Sequence, residues 1–107
     1  RLGAPPMSTT WPAKDPAEKL ICSFDFSPEL DSGETIDHAT LSVTLLSGGD
    51  ANPSALLDGA PQIAGGSVVL HAFQGGVDGA NYRFRCLATL SSGRILALAA
   101  TLPVRTA

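Results

Sequence analysis

Charge is scarce in this sequence. Of its 107 residues only 16% are Asp, Glu, Lys or Arg, against about a quarter in an ordinary soluble domain. A surface so sparsely charged is expected to be covered in part by a partner. The formal net charge is −3, which argues against a generic nucleic-acid binder, because phosphate recognition needs a basic field. Long apolar runs are missing too. None approaches the roughly 18 residues of a membrane span, and Arg1-Leu2-Gly3-Ala4-Pro5-Pro6 lacks the apolar segment of a signal peptide. The opening on Arg1 rather than Met is expected of a trimmed chain or one preceded by disordered residues. With 2 cysteines there is no disulfide framework.

The motifs of chemistry are absent as well. His38 and His71 belong to no His-x-x-x-His pattern, and no Cys-x-x-Cys occurs, so a metal site lacks ligands at matched spacing. Asp31, Glu34 and Asp37 crowd one loop, which reads as a solvated acidic loop, with a hard cation such as Ca²⁺ the alternative. There is no Gly-x-Ser-x-Gly elbow and no phosphate-binding Gly-x-x-x-x-Gly-Lys loop. The sequence predicts no enzyme, no cofactor and no metal. Helical periodicity is not sustained anywhere.

What is present is β-alternation punctuated by glycine and proline. Tyr82, Phe84, Cys86, Ala88 and Leu90 alternate with Arg83, Arg85, Leu87 and Thr89, which places the two sets on opposite faces of a strand. Ser91-Ser92-Gly93-Arg94 reverses the chain. Leu96, Leu98, Ala100, Leu102 and Val104 then share the next inward face. A hairpin alone is marginal in water, so the rest of the chain must cover it. Residues 20–26 form a strand with Leu20, Cys22, Phe24 and Phe26 on one face. Residues 36–46 form another, whose apolar parity changes midway, predicting a bulge or break near His38 to Thr40. Residues 54–57 fit either a short strand or a helical turn. A brief strand is expected at 61–63 and a longer one at 67–73, and all 11 glycines fall outside these strand cores. About seven short strands point to an all-β, two-sheet antiparallel sandwich. Residues 1–19, which hold Pro5, Pro6, Pro12 and Pro16, form an extended N-terminal arm, and residues 20–107 form the sandwich domain.

Two resemblances sharpen this. Asp78-x-Ala80-x-Tyr82 resembles the run that precedes the sixth strand of immunoglobulin-like domains, where the tyrosine hydroxyl bonds back to nearby backbone. Phe84 stands where immunoglobulins carry cysteine. Cys22 and Cys86 are therefore read as buried free thiols, an inter-sheet bridge being the alternative. More widely, the run Thr9-Thr10-Trp11-Pro12-Ala13-Lys14-Asp15-Pro16-Ala17-Glu18-Lys19-Leu20 resembles the opening of tailed-bacteriophage fibre–tail adaptor proteins. Gly33-Glu34-Thr35-Ile36 with Ala39-Thr40, Gly75-Gly76-x-x-Gly79-x-x-Tyr82, and Thr89-x-Ser91-x-Gly93-Arg94 with Leu102-Pro103-Val104 share that resemblance. It spans roughly residues 9–104. It implies an immunoglobulin-like virion structural protein at the tail or neck, joining fibres or spikes to the tube, assembled in the reducing host cytoplasm and without catalytic residues. Its partners would be phage tail or neck proteins, fibre or spike proteins, and other copies of itself in a ring. A head-decoration protein and a receptor- or carbohydrate-binding domain are the alternatives. Carbohydrate binders present exposed aromatics, and Trp11 and Tyr82 are the only Trp and Tyr here.

The candidate interface follows from an anomaly in the last strand. If Leu96, Leu98, Ala100 and Leu102 face inward, then Ile95, Ala97, Ala99 and Thr101 face out, where polar residues are usual. Arg83, Arg85 and Arg94 flank that aliphatic face, while acidic residues concentrate between residues 15 and 58. Such polarity suits heterologous packing of copies, acidic side to basic side. Trp11, isolated in the arm, either plugs this domain's own core or anchors the arm on a neighbouring subunit.

Overall fold

The computed structural model describes residues 9–107; residues 1–8, the first part of the proline-rich arm, lie outside the described residues. Seven strands follow in chain order: β1 Thr9–Thr10, β2 Lys19–Asp25, β3 Ile36–Ser47, β4 Leu57–Ala64, β5 Val68–Gln74, β6 Asn81–Leu90 and β7 Ile95–Pro103. They form two sheets, one ordered β1-β7-β6-β3 and the other β2-β5-β4. The fold is the expected all-β, two-layer architecture, with one difference. β1 runs parallel to β7, pairing Thr9 with Ala100 and Thr10 with Thr101. The start of the arm is thus a strand of the sheet. Trp11 N–H donates to the Thr101 carbonyl at 2.9 Å, and Lys14 bridges to Val104.

Alternation builds the core. Tyr82, Phe84, Cys86, Ala88 and Leu90 of β6 are all buried, as are Ala100 and Leu102 of β7. Cys22, Phe24 and Phe26 meet them from the other sheet with Val69 and Phe73. Leu20 departs from the expected inward set: it is 41% exposed. It lies near the start of β2 and lines a groove beside Trp11 and Leu102, so its inward side is only partly filled.

The parity change in β3 is a register shift between Ile36 and His38, a residue or two before the expected position, and a second shift follows between Leu45 and Ser47. The first lets Ile36 and Ala39, three apart, both point inward. Pro53–Leu56 is a 3₁₀ turn, which resolves the two readings of that segment. β4 is longer than the brief strand expected, and Gly59 lies inside it at φ +79°, within the irregular stretch between Asp58 and Gln62. Gly59 lies outside the brief strand expected at 61–63 but inside the longer one observed, because a bulged edge strand accommodates the left-handed backbone that only glycine adopts readily.

The Tyr82 hydroxyl is fixed on both sides. It accepts from Val77 N–H at 2.9 Å and donates to Asp50 Oδ2 at 2.7 Å. Gly48 makes the approach of that loop possible. Its φ is +98°, and a Cβ there would lie 2.8 Å from the Ala80 Cα. Burial, then the Asp50 hydrogen bond, pushes the phenol pKa up, and the hydroxyl in turn holds Asp50 below the usual carboxylate range. Cys22 and Cys86 are free and buried. Burial pushes their thiols up to about 11 and about 12, so neither is a nucleophile at neutral pH.

Candidate protein–protein interface

The residues singled out from sequence divide into three groups in space. Arg83, Arg85, Ile95, Ala97 and Ala99 come together on the outward face of the four-stranded sheet. Cross-strand register sets the arrangement. Arg83 lies between Thr44 of β3 and Thr101 of β7, and Arg85 between Ser42 and Ala99. Leu87 lies between Thr40 and Ala97, and Thr89 between His38 and Ile95. Among the described residues neither Arg83 nor Arg85 has an ion-pair partner, and none of these register partners carries a carboxylate. Two guanidinium groups thus stand over a floor of hydroxyls and methyls. Ile95 is 64% exposed at one corner. Such a face holds planar cations clear of competing anions, and its small side chains allow close approach of another surface.

Arg94, expected to flank that face, is committed elsewhere. Its guanidinium grips Glu34, with Nε donating to Oε2 at 3.0 Å and Nη2 to Oε1, and it also donates to the Glu29 carbonyl at 3.1 Å. Asp31 lies 3.6 Å away. Ser92 Oγ also donates to Glu34. Arg94 therefore ties the β6–β7 turn to the loop before β3. The Arg94 hydrogen bonds, then those of Ser92 and the Asp31 N–H, hold the Glu34 carboxyl down at about 2. Two members of the acidic loop are thus partnered by a cation of the same chain, and no group of His, Cys, Asp and Glu among the described residues is placed to hold a metal.

Trp11 packs into this domain's own core. Its ring centroid lies 5.4 Å from Phe24, 5.9 Å from Phe73 and 5.2 Å from Phe84. It closes the lateral seam between β2 and the β1–β7 edge. A groove of about 430 Å³ lies on one side of it, lined by Leu20, Ile21 and Leu102, and one of about 250 Å³ on the other, lined by Phe24, Leu98 and Ala100.

Sequence reasoning missed Lys14. The residue is fully buried, and its ammonium donates to the Gly75 carbonyl at 2.7 Å and to that of Asp15 at 2.8 Å. Burial lowers its pKa against the opposing pull of Glu18 and Asp15. Its only signal was position: it follows Trp11 by three residues in an arm that must dock if the Trp docks.

Residues 14–103 match the family model described as podophage GP4 fiber-tail adaptor protein gp77. The chain belongs to this adaptor family. No curated protein matches the chain individually. The match covers all seven strands but β1, and it includes Arg83, Arg85 and the aliphatic face of β7 together with the Arg94–Glu34 clamp. A structural protein of the phage virion tail is what the family's description indicates.

Proposed function

We propose that this protein is a non-enzymatic adaptor that attaches fibres or spikes to the tail or neck of a tailed bacteriophage, in several copies packed around a ring, and that it is assembled in the host cytoplasm. The observation that carries the reading is the outward face of β6 and β7: Arg83 and Arg85 without an ion-pair partner among the described residues, beside exposed Ile95 and Ala97 and half-buried Ala99. Desolvating that face against neutral protein would strand two cations, so it fits a surface that brings carboxylates. The acidic residues lie mostly between residues 15 and 58, away from it in sequence; none is on β6 or β7, and of the sheet's strands only β3 carries one, Asp37 near its start.

We also read the sandwich as immunoglobulin-like. The sheet orders β2-β5-β4 and β1-β7-β6-β3 support this, as does the Tyr82 hydroxyl bonded to backbone five residues upstream. A carbohydrate-binding role is disfavoured: Tyr82 is buried, Trp11 packs on three phenylalanines, and the exposed large apolar residues among those described are all aliphatic.

The test is charge reversal, Arg83→Glu with Arg85→Glu, scored by fibre content and copy number in purified particles. Loss of the protein or of fibres from otherwise complete particles is expected. Unchanged fibre content would refute the interface, and hundreds of copies per particle would favour head decoration instead.

A further inference from the structure

We infer that β2 is an open pairing edge, and that in the protein free of the virion it is closed by β2 of a second copy in an antiparallel, two-fold arrangement centred on Cys22. Unpaired strand edges are templates for other strands, and proteins blunt the ones that must stay free. The two sheets have four edges among the described residues: β1, β3, β2 and β4. β1 is two residues long and runs into Pro12. β4 carries Pro61 and the irregularity at Gly59. β3 is shifted in register at both ends, and the Pro53–Leu56 turn and β4 pack against it. β2 has none of these devices. Its seven residues, Lys-Leu-Ile-Cys-Ser-Phe-Asp, contain no Pro or Gly and pair with β5 without a break. It also exposes 71% of Ile21 and 41% of Leu20, and it borders the two grooves beside Trp11.

Hydrogen-bond phase decides which groups are free. Phe26 N–H donates to the Ser67 carbonyl at 2.9 Å, in the register that pairs Lys19 with Gln74. Backbone groups alternate sides along a strand. The even-numbered residues of β2 therefore bond to β5, and the N–H and C=O groups of Lys19, Ile21, Ser23 and Asp25 point away from the sheet. The same four side chains are exposed on its outer face.

The sequence of the edge is complementary to itself. With the two-fold axis at Cys22, Lys19 of one copy faces Asp25 of the other and Ile21 faces Ser23, all four being residues with outward backbone groups. An ion pair then closes each end of the joint strand pair, and the two Ile21 side chains sit diagonally across the axis, covering each other. Sliding the register by one pair sets either Asp25 against Ile21 or Ile21 against itself, and both slides lose the Lys19–Asp25 match. Among the described residues neither Lys19 nor Asp25 has an ion-pair partner; Asp25 is engaged by Ser27, whose N–H donates to Oδ1 at 2.9 Å. The edge lies in the three-stranded sheet, so pairing there leaves the Arg83–Arg85 face uncovered. The inference is independent of the adaptor reading.

Sedimentation equilibrium of the full chain tests it. A monomer–dimer equilibrium is expected in the micromolar to submillimolar range. Lys19→Asp should weaken the dimer about tenfold, since it replaces an attraction by a repulsion at both ends, and Ile21→Lys should abolish it. Lys19→Asp combined with Asp25→Lys restores the pairing in reverse and should recover the dimer, which separates a lost contact from a lost fold. A wild-type chain that stays monomeric throughout, a dimer indifferent to both single changes, or a double swap that fails to rescue overturns the proposal. Fibre attachment, read in particles with the same variants, is a separate measurement: a monomer that still mounts fibres removes the pair and leaves the adaptor reading standing.

Discussion

The two faces of the β6–β7 hairpin are made by the same strands, one residue apart, and do opposite work. On the inner side Tyr82, Phe84, Cys86, Ala88, Leu90 and Leu102 are buried. On the outer side Arg83, Arg85, Ile95 and Ala97 are exposed, and among the described residues the two arginines have no ion-pair partner. The difference teaches where stability and recognition are kept. A residue whose partners lie within the chain holds the sandwich together; one whose chemistry is left open is available to another molecule. Arg94 shows that the division follows partners and not residue type. It is an arginine of the same hairpin, yet Glu34, Asp31 and the Glu29 carbonyl engage it. Substitutions on the two faces should therefore separate cleanly, and four of them test the separation in order of decreasing effect on the fold.

Phe84→Ala is the strongest. The ring is fully buried and stacks edge-on with both Trp11, at 5.2 Å, and Phe73, at 5.4 Å. Its loss removes the floor on which Trp11 closes the seam, and should cost about 3–5 kcal/mol in urea unfolding. A cost below 1 kcal/mol would mean that Trp11 is not held by the core as described.

Tyr82→Phe is milder. It keeps the ring and leaves Val77 N–H and Asp50 without the hydroxyl, for about 1–2 kcal/mol by the same measurement. The Asp50 carboxyl should return toward the usual carboxylate range when titrated by NMR, because the Tyr82 hydrogen bond is the largest cause of its depression.

The third concerns acid. Glu34 titrates at about 2 in the folded protein against an ordinary 4.5. Its contribution to stability is therefore complete above about pH 4.5 and disappears as pH falls toward 2. Arg94→Gln removes the main cause. The difference between wild-type and variant stability should be constant above pH 4.5 and shrink below it; a difference that grows on acidification would contradict the clamp.

These contrasts also explain which parts of the molecule the sequence reveals. Strands β6 and β7 are legible because strict period-two alternation survives along a buried hairpin, and the bulge in β3 is legible because Ile36 and Leu41 break that period. β4 is half hidden: Gly59 reads as punctuation and confines the expected strand to residues 61–63, although a bulged edge strand tolerates a glycine. Leu20 has the inward parity of its strand, and parity says nothing about whether a facing strand extends far enough to cover it. The docked arm is hidden for another reason. β1 consists of two threonines, and its parallel partner lies some ninety residues away in the chain. The outward face of β7 was visible as an aliphatic anomaly, but the fate of the three arginines was not. Glu34 lies 60 residues from Arg94, so no local pattern distinguishes the arginine that the fold uses from the two it leaves open.

The weakest effect on the fold is the most informative for function. Arg83→Gln with Arg85→Gln removes two cations that have no ion-pair partner among the described residues, from strand positions flanked by Thr44, Thr101, Ser42 and Ala99. Glutamine keeps the hydrophilic end and much of the aliphatic stem, so the covering of the sheet changes little. The urea midpoint should shift by no more than about 0.5 kcal/mol equivalent, the range of an ordinary surface change. A shift of 2 kcal/mol would show that these side chains belong to the fold after all. If stability holds, any loss of fibre attachment in the double variant must arise outside this chain, in the surface that meets it. Removing charge without reversing it then measures how much of that meeting is electrostatic: attachment that survives the glutamines at low salt but fails with the glutamates is repulsion alone, whereas failure with both means that the arginines are contacted directly.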